Sequence, residues 1–88
     1  MKFRKYKRTQ IAEMTPVTFD MMEFHALYGY LEIGFYRVSI SEADIKNNSP
    51  KLGDMIARNP ENHNDMWLVA EKYFKQNFTP TFIRKINL

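Results

Sequence analysis

The hydrophobic and polar positions of this 88-residue chain change their period several times, and each change predicts a new element. Residues 3–14 lack helical spacing and contain Tyr, Thr and Ile, so we predict a strand there. Alternation is poor in its basic half, which favours an edge strand or a protruding arm, because lysines guard exposed sheet edges. Thr15-Pro16 is expected to end this strand.

The stretch TFDMMEFHALYG, which follows, predicts a helix. Thr18 or Asp20 can cap its first turn, and Gly29 suits the left-handed residue just past its end. Glu23 and His25 interrupt a surface that is otherwise nearly apolar, so we expect the helix to be buried on more than one side. Two buried stripes are possible: Phe19, Met22, Ala26 and Tyr30, or Met21, Phe24 and Tyr28.

The second half of the chain alternates short strands, turns and helices. Period two over residues 30–40 predicts a strand, and Ser41 is placed to cap a short helix after it. Gly53-Asp54 then turns the chain into a strand, MIARN. Turn-forming residues over 60–65 predict a loop, and MWLVA completes a hairpin. Residues 71–78 predict a helix, and a last strand is expected within 82–88.

This order of elements predicts an α+β fold in one domain that spans residues 1–88. We expect a single small, mostly antiparallel sheet of four to five strands, covered by two or three helices. A basic N-terminal arm or strand occupies residues 1–14 and a C-terminal tail occupies residues 79–88. The length leaves no room for a second core.

Composition narrows the setting in which such a domain works. The chain has no cysteine, so disulfides and thiolate metal sites are excluded, and a reducing cytoplasm is the expected compartment. No apolar run approaches the roughly 18 residues that cross a bilayer. The basic start MKFRKYKR is not followed by the apolar core of a secretory signal, so we expect no signal and no membrane partner.

Several residues invite a chemical role, and for each a structural role is more common. His63 lies between two acidic residues and His25 lies on the apolar helix, but two histidines without cysteine make a zinc site improbable. Asp54 after Gly53 is expected to accept backbone N–H bonds in a turn, and Trp67 to anchor the core. The serines lie at caps and turns without a nucleophile elbow, so we expect no enzyme, metal or cofactor.

Charge is distributed unevenly along the chain. Residues 1–8 hold five basic residues and no acid, residues 81–88 hold two more, and residues 9–80 carry a net charge of −4. A basic segment interleaved with aromatics can neutralise phosphates and stack on bases. The acidic body opposes a nucleic-acid backbone lying across a broad face.

The two ends of the chain resemble a widespread family of small proteins encoded by tailed bacteriophages and prophages. The resemblance covers about half of the chain. It rests on Met1-Lys2-Phe3-Arg4-Lys5, Gly53-Asp54-Met55-Ile56, Trp67-Leu68-Val69, Tyr73-Phe74 and Asn77-Phe78-Thr79-Pro80. It implies a viral accessory protein made in the cytoplasm of a bacterial host, and most members have no assigned activity.

We therefore expect stoichiometric binding to a host or viral protein, which the small protein would block or redirect, and a homodimer is plausible. Aromatic, Met and Arg residues are favoured at interfaces and are abundant here. The expected partner-binding residues are Phe3, Arg4, Tyr6, Arg8, Asn62, His63, Asn64 and Asp65. The alternative is a small nucleic-acid-binding regulator that uses Lys2, Arg4, Lys5, Lys7, Arg8, Arg84 and Lys85.

Overall fold

The structure, a computed structural model, describes residues 1–6 and 11–79. Across these residues the chain forms β1 (Glu13–Pro16), α1 (Phe19–Tyr28), β2 (Glu32–Ile33), β3 (Tyr36–Ser39), α2 (Glu42–Lys46), β4 (Met55–Asn59), β5 (Asn62–Val69) and α3 (Glu71–Asn77). The predicted α+β class, with five strands in one sheet and three helices, is confirmed.

The five strands lie in the order β1-β4-β5-β3-β2, so that β1 and β2 form the two edges. Neighbours pair antiparallel except for β3 and β5, which are parallel. In the central hairpin Ile56 lies opposite Leu68, and the register shifts between Arg58 and Asn59. This register sets which side chains share each face, because residues alternate between the two faces of a sheet.

The hydrophobic core lies on one face of the sheet, between it and α1. Its buried members come from the central strands and from the segments that flank α1: Val17, Leu31, Val38, Ile56, Met66 and Leu68. Met21, Met22 and Phe24 of α1 pack against this core and are partly buried. The helix is therefore attached to the sheet along one side.

Trp67 lies on the face opposite this core. It is half-buried and lines an open groove with Asp44, Tyr73 and Phe78, beside the buried Val69. The expectation that this residue anchors the core was wrong in that respect, because strand alternation directs Trp67 away from Met66 and Leu68. Trp67 instead contributes to a second, smaller apolar layer, which lies between the sheet and α3.

Asp54 is fully buried and joins three segments of the chain. One carboxylate oxygen, Oδ2, accepts the Ser49 hydroxyl at 2.7 Å and the Lys51 backbone N–H at 3.0 Å. The other, Oδ1, accepts the backbone N–H of Glu71 at 3.0 Å, at the start of α3, where Ala70 offers no capping side chain. The structural role expected for Asp54 is confirmed.

Two strand predictions in the first half of the chain were wrong. Residues 1–6 form no regular structure, and the strand begins at Glu13. Thr15-Pro16 ends the strand, as expected, although both residues still pair with β4. An edge strand tolerates a residue without an N–H. The predicted strand over 30–40 is a hairpin of β2 and β3, made possible by Gly34 at φ +63°.

The predicted loop over 60–65 is also much shorter than expected. Pro60 and Glu61 alone form the turn, and β5 starts at Asn62. The Asn59 side-chain oxygen accepts the backbone N–H of Glu61 at 2.9 Å, which closes the turn tightly. The strand expected within 82–88 lies outside the described residues. Within 1–6 and 11–79, no helix is long and apolar enough to cross a membrane.

Candidate protein-binding surface

Local chemistry fixes both ends of α1. The Thr18 hydroxyl accepts the backbone N–H of Met21 at 3.3 Å, so Thr18, and not Asp20, is the cap. At the other end Gly29 takes a φ of +79° and its N–H donates to the His25 carbonyl at 2.8 Å. These two caps limit the helix to ten residues, and its N-terminal cap directly follows the core residue Val17.

None of the ten residues of α1 is buried, although the helix is nearly apolar all round. Phe19 remains 70 % exposed and Leu27 71 % exposed. The prediction that this helix would be buried on more than one side was wrong, because the small sheet covers a single side and none of the residues in 1–6 and 11–79 forms a second layer on the other. Apolar side chains on the outer side are therefore left in water, where they cost free energy.

The outer face of α1 comprises Phe19, Asp20, Glu23, Ala26 and Leu27, all of them exposed. Helical spacing places Phe19, Glu23 and Leu27 one turn apart along one ridge, with Asp20 beside them. The helix contains no Lys or Arg, so this face combines apolar side chains with two acids and no base of its own. It is suited to contact a partner that is both apolar and basic.

An aromatic cluster lies at the C-terminal end of α1. The Phe24 ring centroid is 4.7 Å from that of Tyr28 and 5.5 Å from that of Tyr30, and Tyr28 lies 6.4 Å from Tyr30. The Arg37 guanidinium lies 4.0 Å from the centre of the Tyr30 ring. Tyr28 nevertheless stays 61 % exposed. Tyr and Arg that are held in place by such contacts are typical of binding hot spots.

Two open grooves adjoin the core. One, of about 400 Å³, runs beside the aromatic cluster and is lined by His25, Arg37, Ile40 and Ile45, among others. The other, of about 300 Å³, has a floor of core residues such as Met66. Within 1–6 and 11–79, no three His, Asp or Glu side chains converge as metal ligands would.

The structure describes seven of the eight residues of the sequence-predicted partner surface, all of them exposed. Phe3 and Tyr6 are 92 % and 89 % exposed, Arg4 is exposed beside them, and Arg8 lies outside the described residues. No hydrogen bond or ion pair found in the structure joins residues 1–6 to residues 62–65. These four hairpin residues, Asn62, His63, Asn64 and Asp65, are exposed at the start of β5.

His63 belongs to a small charged group on the sheet edge. The Glu13 carboxylate oxygen Oε1 lies 3.5 Å from His63 Nε2 and 2.7 Å from Arg58 Nε. All three side chains are about half exposed, so the group adds little to stability. It ties β1 to β4 and leaves the hairpin accessible.

The basic residues of the nucleic-acid alternative are only partly placed. Lys2, Arg4 and Lys5 are exposed in residues 1–6. The remaining four, Lys7, Arg8, Arg84 and Lys85, lie outside the described residues.

Sequence reasoning missed the outer face of α1, and the signal that would have found it was present. Five short strands make a sheet too small to sandwich a ten-residue helix. A helix that is apolar all round then has one side covered by the sheet and one apolar side that the sheet does not cover. Phe19, Leu27 and Tyr28 were therefore candidates for contact with a partner.

Comparison with known proteins adds no relative: no protein-family model, no curated protein and no solved structure matches the chain.

Proposed function

We propose that the chain is a small bacteriophage accessory protein that binds a host or viral protein stoichiometrically in the cytoplasm of a bacterial host. Binding would block or redirect the partner without a chemical step. The observation that supports this proposal most is the outer face of α1, where Phe19 and Leu27 remain about 70 % exposed on a capped helix.

The mode of binding follows from the spacing of these side chains. Phe19, Ala26 and Leu27 stand at positions i, i+7 and i+8, which is the pattern of a helix that lies in an apolar groove of its partner. Full burial of a Phe or Leu side chain contributes about 1.5–3 kcal/mol. With about 70 % still to bury, the two large residues together supply roughly 2–4 kcal/mol.

The aromatic cluster would extend this contact at one end of α1. Tyr28 presents a large ring whose position is already set by Phe24 and Tyr30, so little conformational entropy is lost when it is covered. Arg37 stacks on Tyr30 and can also reach an acceptor on the partner. Pre-ordered aromatic and Arg side chains therefore support affinity in addition to the outer face of α1.

The test is capture from a bacterial lysate, with and without nuclease treatment. The tagged chain is compared with Phe19→Ser/Leu27→Ser and with the control Leu52→Ser, which removes a half-exposed leucine from the turn at Gly53. We expect a protein to be retained by the unmodified chain and the control. The double variant should bind it at least about thirtyfold more weakly, which is about 2 kcal/mol.

Three outcomes would count against the proposal. A captured protein that binds the double variant and the control equally well would show that α1 is not the contact surface. Retention that nuclease abolishes, and that depends on Lys2, Arg4 and Lys5, would favour the nucleic-acid alternative instead. The captured protein is then titrated in purified form, and a molar ratio far from one would contradict stoichiometric binding.

A further inference from the structure

Among the residues that the structure describes, two exposed surfaces have opposite character. Residues 1–6 carry Lys2, Arg4 and Lys5 between exposed aromatic rings and contain no acid. The outer face of α1 carries Asp20 and Glu23 between exposed apolar side chains and contains no base. Each therefore offers the charge and the apolar contact that the other lacks.

The spacing of the groups also corresponds. In an extended segment Lys2, Arg4 and Tyr6 point to one side at intervals of about 6.6 Å. On α1 Asp20 and Glu23 are neighbours at about 5–6 Å, and Leu27 follows Glu23 by a similar step. A segment aligned with the helix can place Lys2 at Asp20, Arg4 at Glu23 and Tyr6 at Leu27. The long Lys and Arg side chains absorb the difference of about 1 Å per step.

From this complementarity we propose that two copies of the chain associate by exchanging residues 1–6, each set lying on the outer face of α1 of the other copy. Within one chain residues 1–6 are all exposed and leave that face uncovered, so the occupant is the second copy. The exchange is reciprocal and closes as a two-fold dimer. It involves no other protein and stands independently of the function proposed above.

Each arm contact occurs twice in the two-fold dimer, so a substitution in one chain changes the dimerisation equilibrium twice over. An exposed ion pair changes an equilibrium by about 1.4- to 5-fold, and the dimer contains four of them, two in each arm contact. Loss of all four therefore weakens association between about 4-fold and 600-fold, and reversal of the charges adds repulsion. Because these pairs are exposed, association should also weaken severalfold between about 50 mM and 500 mM salt.

The experiment is sedimentation equilibrium on the purified chain, from about 1 µM to 500 µM at about 50 mM salt. We expect a mass of twice 10.5 kDa at the upper concentrations. Lys2→Glu/Arg4→Glu should weaken the dimer at least about tenfold. Lys46→Glu/Lys72→Glu makes the same change in net charge at exposed positions of α2 and α3 and should alter it less than about threefold.

A charge-swapped chain decides between loss of contact and loss of folding. Adding Asp20→Lys/Glu23→Lys to Lys2→Glu/Arg4→Glu recreates the ion pairs with reversed polarity, so dimerisation should return to within about fivefold of the unmodified chain. A monomer throughout the concentration range would overturn the proposal, and so would a dimer that the arm reversal leaves unchanged. Failure of the charge-swapped chain to recover would overturn it too.

The result is separable from that of the lysate experiment. Dimerisation is measured without any other protein, whereas capture is scored on a different polypeptide. If the dimer and the binding of another protein are both confirmed, residues 1–6 of the second copy and that protein compete for the outer face of α1. Loss of the dimer in Lys2→Glu/Arg4→Glu should then strengthen capture rather than weaken it.

Discussion

Removal of the Asp54 carboxylate is the perturbation whose effect can be worked out most fully. The carboxylate is fully buried and accepts three hydrogen bonds at 2.7–3.0 Å, from the Ser49 hydroxyl and from the backbone N–H groups of Lys51 and Glu71. These bonds connect the segment after α2, the turn into β4 and the first turn of α3. Substitution by alanine leaves all three donors without an acceptor.

The cost can be bounded from these contacts. A hydrogen bond to a charged group contributes about 1.5–3 kcal/mol to the free energy of unfolding. A buried donor that is left without an acceptor lowers it by about 1–3 kcal/mol. Water can reach the two backbone donors, which are only partly buried, so we take the low end and expect Asp54→Ala to cost about 3–5 kcal/mol. A domain of this size has about 4–13 kcal/mol in total.

Two milder substitutions should lower the free energy of unfolding by smaller amounts. Ser49→Ala removes one bond of the three and should cost about 1.5–2 kcal/mol. Asp54→Asn can keep the bond to Glu71, but its NH₂ group then faces the Lys51 N–H, and the serine hydroxyl must turn to accept. We expect about 2–3 kcal/mol for that conflict and for the lost charge at the start of α3.

Urea unfolding followed by Trp67 fluorescence gives these free energies from the midpoint and slope. The expected order of loss is Ser49→Ala, then Asp54→Asn, then Asp54→Ala. Glu61→Ala removes an exposed acid from the β4–β5 turn and should stay within about 0.5 kcal/mol. A loss below about 1 kcal/mol for Asp54→Ala would refute the reasoning, and so would a reversed order of the two milder variants.

Three further predictions concern the turns and α1. Gly53→Ala should cost about 1–3 kcal/mol in urea unfolding, because Gly53 has a φ of +99° and an added Cβ would lie 2.6 Å from the Glu71 carboxyl carbon. Addition of Glu71→Ala should recover part of that loss, whereas full recovery would show that the backbone carries no strain. Thr18→Ala should cost about 1 kcal/mol by removing the cap of α1, and an unchanged midpoint would contradict the capping role. Phe19→Ser/Leu27→Ser should stay within about 1 kcal/mol in thermal unfolding, whereas a loss of 2–5 kcal/mol, typical of core truncation, would show that these side chains are buried.

Element ends could be predicted from sequence because they depend on local chemistry. Ser41 caps α2 as expected, with its hydroxyl accepting the Asp44 N–H at 3.1 Å. Gly29 takes the left-handed conformation that its position required. Asp54 follows the turn glycine at Gly53 and accepts backbone N–H groups. Each of these outcomes is decided by a few neighbouring residues.

The elements that were missed depend on contacts between distant residues. Period two continues through Gly34 and Phe35, so a hairpin and a single strand have the same pattern there. The parallel pairing of β3 with β5 joins segments almost thirty residues apart, for which the sequence has no local signal. The length of β5 depends on its pairing with β4 as far as Asn62.

The candidate site was missed for a related reason. An apolar pattern on every side of a helix indicates surplus apolar surface, but not what covers it. Here the sheet reaches Met21, Met22 and Phe24 and no further, so Phe19 and Leu27 remain outside. How much of a helix is buried is a property of the whole fold, whereas the helix and its cap are properties of the segment.

Photo-cross-linking inside bacterial cells tests the central claim, that α1 contacts another polypeptide, most directly. A photo-reactive phenylalanine analogue replaces Leu27 in one variant and Leu52 in a matched control, since both positions are well exposed. We predict a discrete adduct with another protein, together with a self-adduct near twice 10.5 kDa, from position 27 and neither from position 52. The same adducts from both positions, or none from position 27, would contradict the claim.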